Sequence, residues 1–205
     1  MPVLGISGGI ASGKSTVCRL LAEGLRYGKR LVETFSADEC GHDLLDNDPV
    51  VQAELQTMFG TSVISRNGRP DRVLLRQIVF DDPRARKQLE EILHPKIRET
   101  WVKAAERFRG TDNYFLAEIP LLYETNSAFF FDCVVVVEAG AQVQLARLSS
   151  KRGWSLETAR RVIDSQLPSR EKMRQADILI FNHHTEKLLH DQIELAARAL
   201  QSRYA

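Results

Sequence analysis

Five short runs of apolar, mostly β-branched or aromatic residues recur along this chain, at Val3 to Ser7, Leu31 to Phe35, Tyr114 to Glu118, Cys133 to Glu138 and Ile178 to Phe181. Runs of this length without polar alternation predict strands covered on both faces. The succession Val134, Val135, Val136, Val137 marks a central strand, because β-branched side chains favour extended backbone over helix. Between the runs the apolar spacing turns helical. The first such stretch, from Lys14 to about Gly24, buries Val17, Leu20 and Leu21 on one side. Strands alternating with helices predict an α/β fold with a parallel sheet of five strands and helices on both faces, a three-layer arrangement.

Two stretches depart from that alternation. From Ser36 to about Gly110 the pattern is mostly helical, with no convincing strand, and too long for an ordinary crossover. It predicts a helix after Asp38, one from Val50 to Phe59, a turn at Asn67-Gly68, one from Asp71 to Phe80, and a long one beyond Pro83 that Pro95 kinks or breaks. A helical subdomain that binds an acceptor is the functional reading; padding of the core is the bland one. The second stretch, Ala146 to Ala176, carries Arg147, Arg152, Arg160, Arg161, Arg170 and Arg174. Gly153 ends one helix there, Ser155 caps the next and Pro168 breaks it, as in a helical lid whose guanidinium groups reach transferring phosphate. Arg147 and Arg152 are the candidates for that task, and Arg160 and Arg161 read as a solvated face.

The chemistry is carried by residues 8 to 16, Gly-Gly-Ile-Ala-Ser-Gly-Lys-Ser-Thr, a full G-x-x-x-x-G-K-[ST] phosphate loop placed directly after the first strand. Glycines 8 and 13 leave room for close backbone approach, and successive N–H groups at a helix start make an anion nest. Ala11, Ser12 and Gly13 supply that backbone. Lys14 bridges the β and γ phosphates, the Ser15 hydroxyl joins the shell of a Mg²⁺, and Thr16 sits near the α phosphate. Glu118 closes the third strand, where an acid can serve the metal's water shell or merely face solvent.

Charge and cysteines narrow the class. In 205 residues, 28 Lys plus Arg stand against 27 Asp plus Glu, a formal charge of +1, so no global field argues for nucleic acid or a membrane surface. Three cysteines without C-x-x-C spacing speak against a disulfide framework or zinc site and favour a reducing, cytoplasmic setting. The opening Met-Pro-Val-Leu-Gly has no basic region, and its apolar run is short for a signal or membrane helix. Phe129-Phe130-Phe131 is expected in the core or at a domain interface. His183-His184 adjoins Asn182 near the expected adenine end, and two adjacent histidines make no metal site alone. A nucleotide switch is disfavoured by the lack of an Asn-Lys-x-Asp guanine reader. A nucleoside or small-alcohol kinase of the same core is the nearer alternative.

Over nearly its whole length the chain resembles the dephospho-coenzyme A kinases. The resemblance rests on the phosphate loop, Ala37-Asp38 after strand two, Phe59-Gly60, Gly68 with Asp71-Arg72, and Val79-Phe80. It continues through Leu93-His94-Pro95, Ile119-Pro120-Leu121-Leu122 with Glu124, Gln144-Leu145 with Arg147, Gln166 with Arg170, and Ala176-Asp177 with Asn182. It implies a P-loop kinase fold: a core over about 1–36, 111–146 and 177–205, a helical acceptor-binding insertion over about 37–110 and a helical lid over about 147–176. ATP with Mg²⁺ is the implied phosphoryl donor and the 3′-hydroxyl of dephospho-coenzyme A the acceptor. Asp38, Lys14 and Arg147 are the implied catalytic groups. Arg152 and Asn182 join residues 11 to 16 around the nucleotide, and Asp38, His94 and Leu121 face the acceptor. The family's first acid before Asp38 is Ser36 here, and its arginine four residues after is His42. The oligomeric state is left open.

Overall fold

A computed structural model describes residues 2–26, 30–65 and 68–204. Its five strands are β1 (Val3–Gly8), β2 (Val32–Ser36), β3 (Tyr114–Glu118), β4 (Cys133–Glu138) and β5 (Ile178–Phe181). They form one all-parallel sheet in the order β2-β3-β1-β4-β5. Side chains alternate across it as a pleated strand requires. Leu4, Ile6, Tyr114, Leu116, Cys133, Val135 and Val137 face α1 (Lys14–Leu25) and the C-terminal helix of the chain (Glu186–Arg203), which bury Val17, Leu21, Leu25, Ile193 and Leu200 against them. On the opposite face Leu122 and Phe131 close over Gly5, where an added Cβ would stand 2.7 Å from Leu122 Cδ1. That tight fit explains a glycine inside a buried strand.

The chain divides into two compact units, residues 1–36 with 105–205, and residues 37–104. The second unit is helical: α2 (Ala37–Asn47), α3 (Pro49–Phe59), α4 (Arg72–Asp81) and most of α5 (Pro83–Glu106). Asp48 starts α3 by accepting from Val50 and Val51 N–H, with Pro49 in the first turn. Asp71 starts α4 in the same way, on Val73 and Leu74. Leu45, Val51, Leu55, Val63, Leu75 and Ile92 form this unit's own core. The expected turn at Asn67-Gly68 is described only from Gly68, whose N–H reaches Ser65 O at 2.9 Å; Asn67 lies outside the described residues.

Pro95 does not break α5, which continues to Glu106. Pro95 and Glu91, the residue whose carbonyl loses its helix partner, both lie on the exposed side, so water can satisfy that carbonyl and the ring displaces no core group.

In the first unit β4 leads into α6 (Ala141–Arg152), α7 (Leu156–Asp164) and α8 (Ser169–Arg174), before β5 and α9 (Glu186–Arg203). Gly153 closes α6 in the left-handed conformation and the Ser155 hydroxyl caps α7 on Thr158 N–H. Phe129 is 77% exposed, contrary to the expectation of core packing: the short 3₁₀ turn Ala128–Phe130 swings it outward while Phe131 turns in. Among the described residues no helix is long and apolar enough to cross a membrane.

Candidate active site

β1 ends at Gly8 and α1 begins at Lys14, and the intervening loop is held by partners far away in sequence. A Cβ at Gly8 would lie 2.3 Å from Val137 O, and one at Gly13 would lie 2.1 Å from Asn182 Nδ2. Both glycines have positive φ, 147° and 94°. Their small size is therefore demanded by the protein itself, before any phosphate arrives. Ala11 takes φ 57° with a side chain present, a conformation that costs about 1–2 kcal/mol and persists only where the surroundings enforce it.

Those surroundings are side-chain donors aimed at successive loop carbonyls. Gln144 Nε2 donates to Ile10 O at 2.7 Å. Arg147 Nη1 donates to Ala11 O and Ser12 O, both at 3.1 Å, and its Nη2 donates to Asn182 O at 2.9 Å. Asn182 Nδ2 adds a bond to Ser12 O at 2.7 Å. In a trans peptide the C=O and the next N–H point in opposite directions. Drawing the carbonyls of residues 10 and 12 toward α6 and Asn182 therefore turns the amides of Ala11 and Gly13 the other way, as an anion nest needs. The Ser12 amide is spent internally on Gly9 O at 3.2 Å.

Lys14 is buried, and its ammonium donates to Gly8 O and Gly9 O at 3.3 and 3.1 Å, so it lies across the loop it belongs to. Ser15 and Thr16 open α1 and are exposed. Ser15 Oγ donates to Glu118 Oε1 at 2.9 Å. Sheet register sets this pair, since Glu118 stands beside Ile6 of β1 on one side and Ser36 of β2 on the other. The carboxyl ends of three strands thus meet at the loop, where open α/β sheets hold ligands.

The remaining expected site residues are placed as follows. Leu121 lies in the turn after β3 and is half-buried, its carbonyl accepting from Thr125 N–H and Oγ1. Arg152 ends α6 with its guanidinium 5.4 Å from the Trp154 ring centroid, a cation–π contact rather than a contact with the loop. Asp38 and His94 belong to the helical unit. α2 starts at Ala37, so Asp38 is exposed inside the first turn, where an acid favours the helix dipole, and the N-terminal flanking position is Ser36. His94 is half-buried in α5; burial pushes its imidazole pKa down, while Glu90 raises it and Arg98 lowers it further. The His183 ring lies edge-on to Phe181 and 4.0 Å from that of His184. Among the described residues no group of three His, Cys, Asp or Glu could hold a metal by itself.

Sequence reasoning assigned no role to Gln144 or Gln166, which turn out to grip the loop. Gln144 and Arg147 stand three apart on α6, hence on one face, and that spacing was the available signal. Gln166, in the link between α7 and α8, offers its Oε1 to Ile10 N–H at 2.8 Å and has no comparable local signal.

A parallel sheet in this order, with a phosphate loop joining β1 to α1 and an acid at the end of β3, defines a P-loop kinase. Sequence comparison narrows the class: the dephospho-CoA kinase profile matches residues 2–187. The chain is 33% identical to the dephospho-CoA kinase of Fusobacterium nucleatum over 192 residues, 94% of this chain and 95% of that one. Identity to the Methylococcus capsulatus dephospho-CoA kinase is also 33%, over 205 residues, 100% of this chain and 98% of the relative. The solved dephospho-CoA kinase from Campylobacter jejuni superposes with a TM-score of 0.63 at 27% identity, covering 98% of this chain and 96% of that one. The chain belongs to the dephospho-CoA kinase family.

Proposed function

We propose that the chain transfers the γ-phosphoryl group of ATP to the ribose 3′-hydroxyl of dephospho-coenzyme A, releasing ADP and coenzyme A in the last step of coenzyme A synthesis. Family membership supports the kinase activity and its acceptor. The observation that carries the chemistry is the loop whose carbonyls are tied back by Gln144, Arg147 and Asn182, so that the Ala11 and Gly13 amides turn the other way, with the Lys14 ammonium lying across the same loop.

In this reading the loop amides and the Lys14 ammonium hold the phosphates and offset charge on the moving group. Ser15 and Glu118 offer two hard oxygens 2.9 Å apart, which fits Mg²⁺, an ion that takes one or two protein groups and completes its shell with phosphate and water. Bound there, it would neutralise charge on the β and γ phosphates. Asp38 orients the acceptor hydroxyl and takes its proton as the new O–P bond forms and the bond to the β-γ bridging oxygen breaks. Its place two residues past Ser36, at the end of β2, supports that role. Arg147 has its fork on three carbonyls, so the role supported for it is holding the loop. Arg152, with its guanidinium on Trp154, remains the candidate to approach the nucleotide from a lid.

The test is ADP release with ATP, Mg²⁺ and dephospho-coenzyme A, run beside adenosine, uridine and shikimate. Turnover with dephospho-coenzyme A alone, with one phosphate added by mass spectrometry, is expected. A folded, ATP-binding sample that leaves it unchanged overturns the assignment.

A further inference from the structure

Lys172, on α8, is fully buried, and its ammonium lies 2.7 Å from Glu124 Oε1 and 3.4 Å from Pro120 O. A buried ion pair is poor evidence for stability, because desolvation offsets most of the attraction and an apolar residue of like volume often serves as well. What the pair holds is the informative question. The same Glu124 Oε1 accepts the Leu167 N–H at 3.0 Å. One residue earlier, the Gln166 side chain reaches Ile10 N–H at 2.8 Å. Pro120 O also receives the Ser7 hydroxyl at 3.3 Å, from the end of β1. A continuous path therefore runs from the buried ammonium through Glu124 and the Leu167 amide to a loop peptide.

We propose that Gln166 is a positioning residue for phosphoryl transfer, and that the ion pair of buried Lys172 with partly exposed Glu124 serves to hold it on the Ile10 amide. This rests on reading the loop as the ATP cradle. Ile10 is the residue before left-handed Ala11, and its peptide groups are gripped from both sides: Gln166 takes its N–H and Gln144 binds its C=O. With both fixed, neither flanking peptide can rotate to turn a carbonyl toward the phosphates. The residue type fits the place as well. A carboxylate could accept the same hydrogen bond, but it would set a negative charge beside an anion site, whereas the amide of Gln166 accepts without charge.

The test compares wild type with Gln166→Met, Gln166→Glu, Lys172→Met and the double variant Gln166→Met/Lys172→Met. Dissociation constants for ATP are measured by calorimetric titration without acceptor, then kcat, KM for each substrate, and Tm. Gln166→Met should weaken ATP binding and kcat/KM for ATP about ten- to hundredfold, with KM for the acceptor and Tm nearly unchanged. Gln166→Glu should weaken ATP more than Met does. Lys172→Met should show the same ATP-side loss, and the double variant should lose no more than the worse single one, because the two act along one path. Should Lys172→Met fail to fold, Glu124→Gln, at a partly exposed position, replaces it in the cycle. Unchanged ATP binding and kcat in Gln166→Met, or additive losses in the double variant, overturn the proposal. Since ATP binding is read without acceptor, an error in the acceptor assignment would leave this comparison intact.

Discussion

Replacing Arg147 by alanine removes three charge-assisted hydrogen bonds from two neighbouring segments. Ser12 O keeps a second donor, Asn182 Nδ2 at 2.7 Å, so its loss is small. Ala11 O and Asn182 O lose the side-chain donor that reaches them. A hydrogen bond to a charged group contributes about 1.5–3 kcal/mol, and solvent entering this half-buried site recovers part of it. A net cost of about 1–1.5 kcal/mol at each of the two carbonyls gives about 2–3 kcal/mol. If that cost falls on loop order, it amounts to about 30- to 160-fold in kcat/KM for ATP, at 1.36 kcal/mol per factor of ten. Lysine should rescue little, because a single ammonium cannot span Ala11, Ser12 and Asn182 as the planar fork does. The assay is calorimetric ATP binding together with steady-state kinetics on Arg147→Ala and Arg147→Lys. Under the loop-holding role ATP affinity falls in both. Intact ATP affinity with a collapsed kcat, largely restored by lysine, would show instead that Arg147 acts on the transferring group and would refute the reasoning.

Lys14→Ala should lower kcat by several kcal/mol of transition-state stabilisation, roughly 10²–10⁴-fold, because the charge nearest the transferred group is lost; near-normal turnover would mean that the loop is not the cradle. Asp38→Asn should reduce kcat about 10²–10⁴-fold if proton removal matters, at a stability cost of only about 0.3–1 kcal/mol from the lost dipole interaction, read as Tm and kcat on one preparation. For His94, burial lowers the folded-state pKa, so the unfolded chain takes up the proton first as pH falls. Its contribution is thus present above the unfolded value of about 6.5 and lost as pH drops through the folded one. Tm should fall as pH drops below the unfolded value, and His94→Gln should flatten that slope; an unchanged slope would remove His94 from the account.

The phosphate loop and the five strands were legible because both are written in contiguous residues. A strand buried on both faces, as β1, β3 and β4 are, needs only a short apolar run, and a phosphate nest needs glycines at fixed spacing before a lysine and a hydroxyl; β2 and β5 stand at the sheet edges and are partly exposed, contrary to the expectation of cover on both faces. Helix limits were equally local: Ser155 caps α7 as expected, and the helices expected from Val50 and Asp71 start at Pro49 and Arg72, where the Asp48 and Asp71 side chains cap them. Pro95 shows where local reasoning stops: the ring's tendency to break a helix is intrinsic, but the outcome depended on which side of α5 faces solvent.

By itself, then, the sequence determined the element types, the phosphate-binding segment and, through its resemblances, the kinase family. Only the tertiary structure decided the strand order β2-β3-β1-β4-β5, the meeting of Ser15 with Glu118, and the grip of Gln144, Arg147, Gln166 and Asn182 on the loop. The physical reason is distance along the chain. Backbone preferences act over a few residues, whereas Gln144 and Gln166 reach Ile10 from 134 and 156 positions away, and only the packed sheet brings those donors and acceptors within hydrogen-bond range.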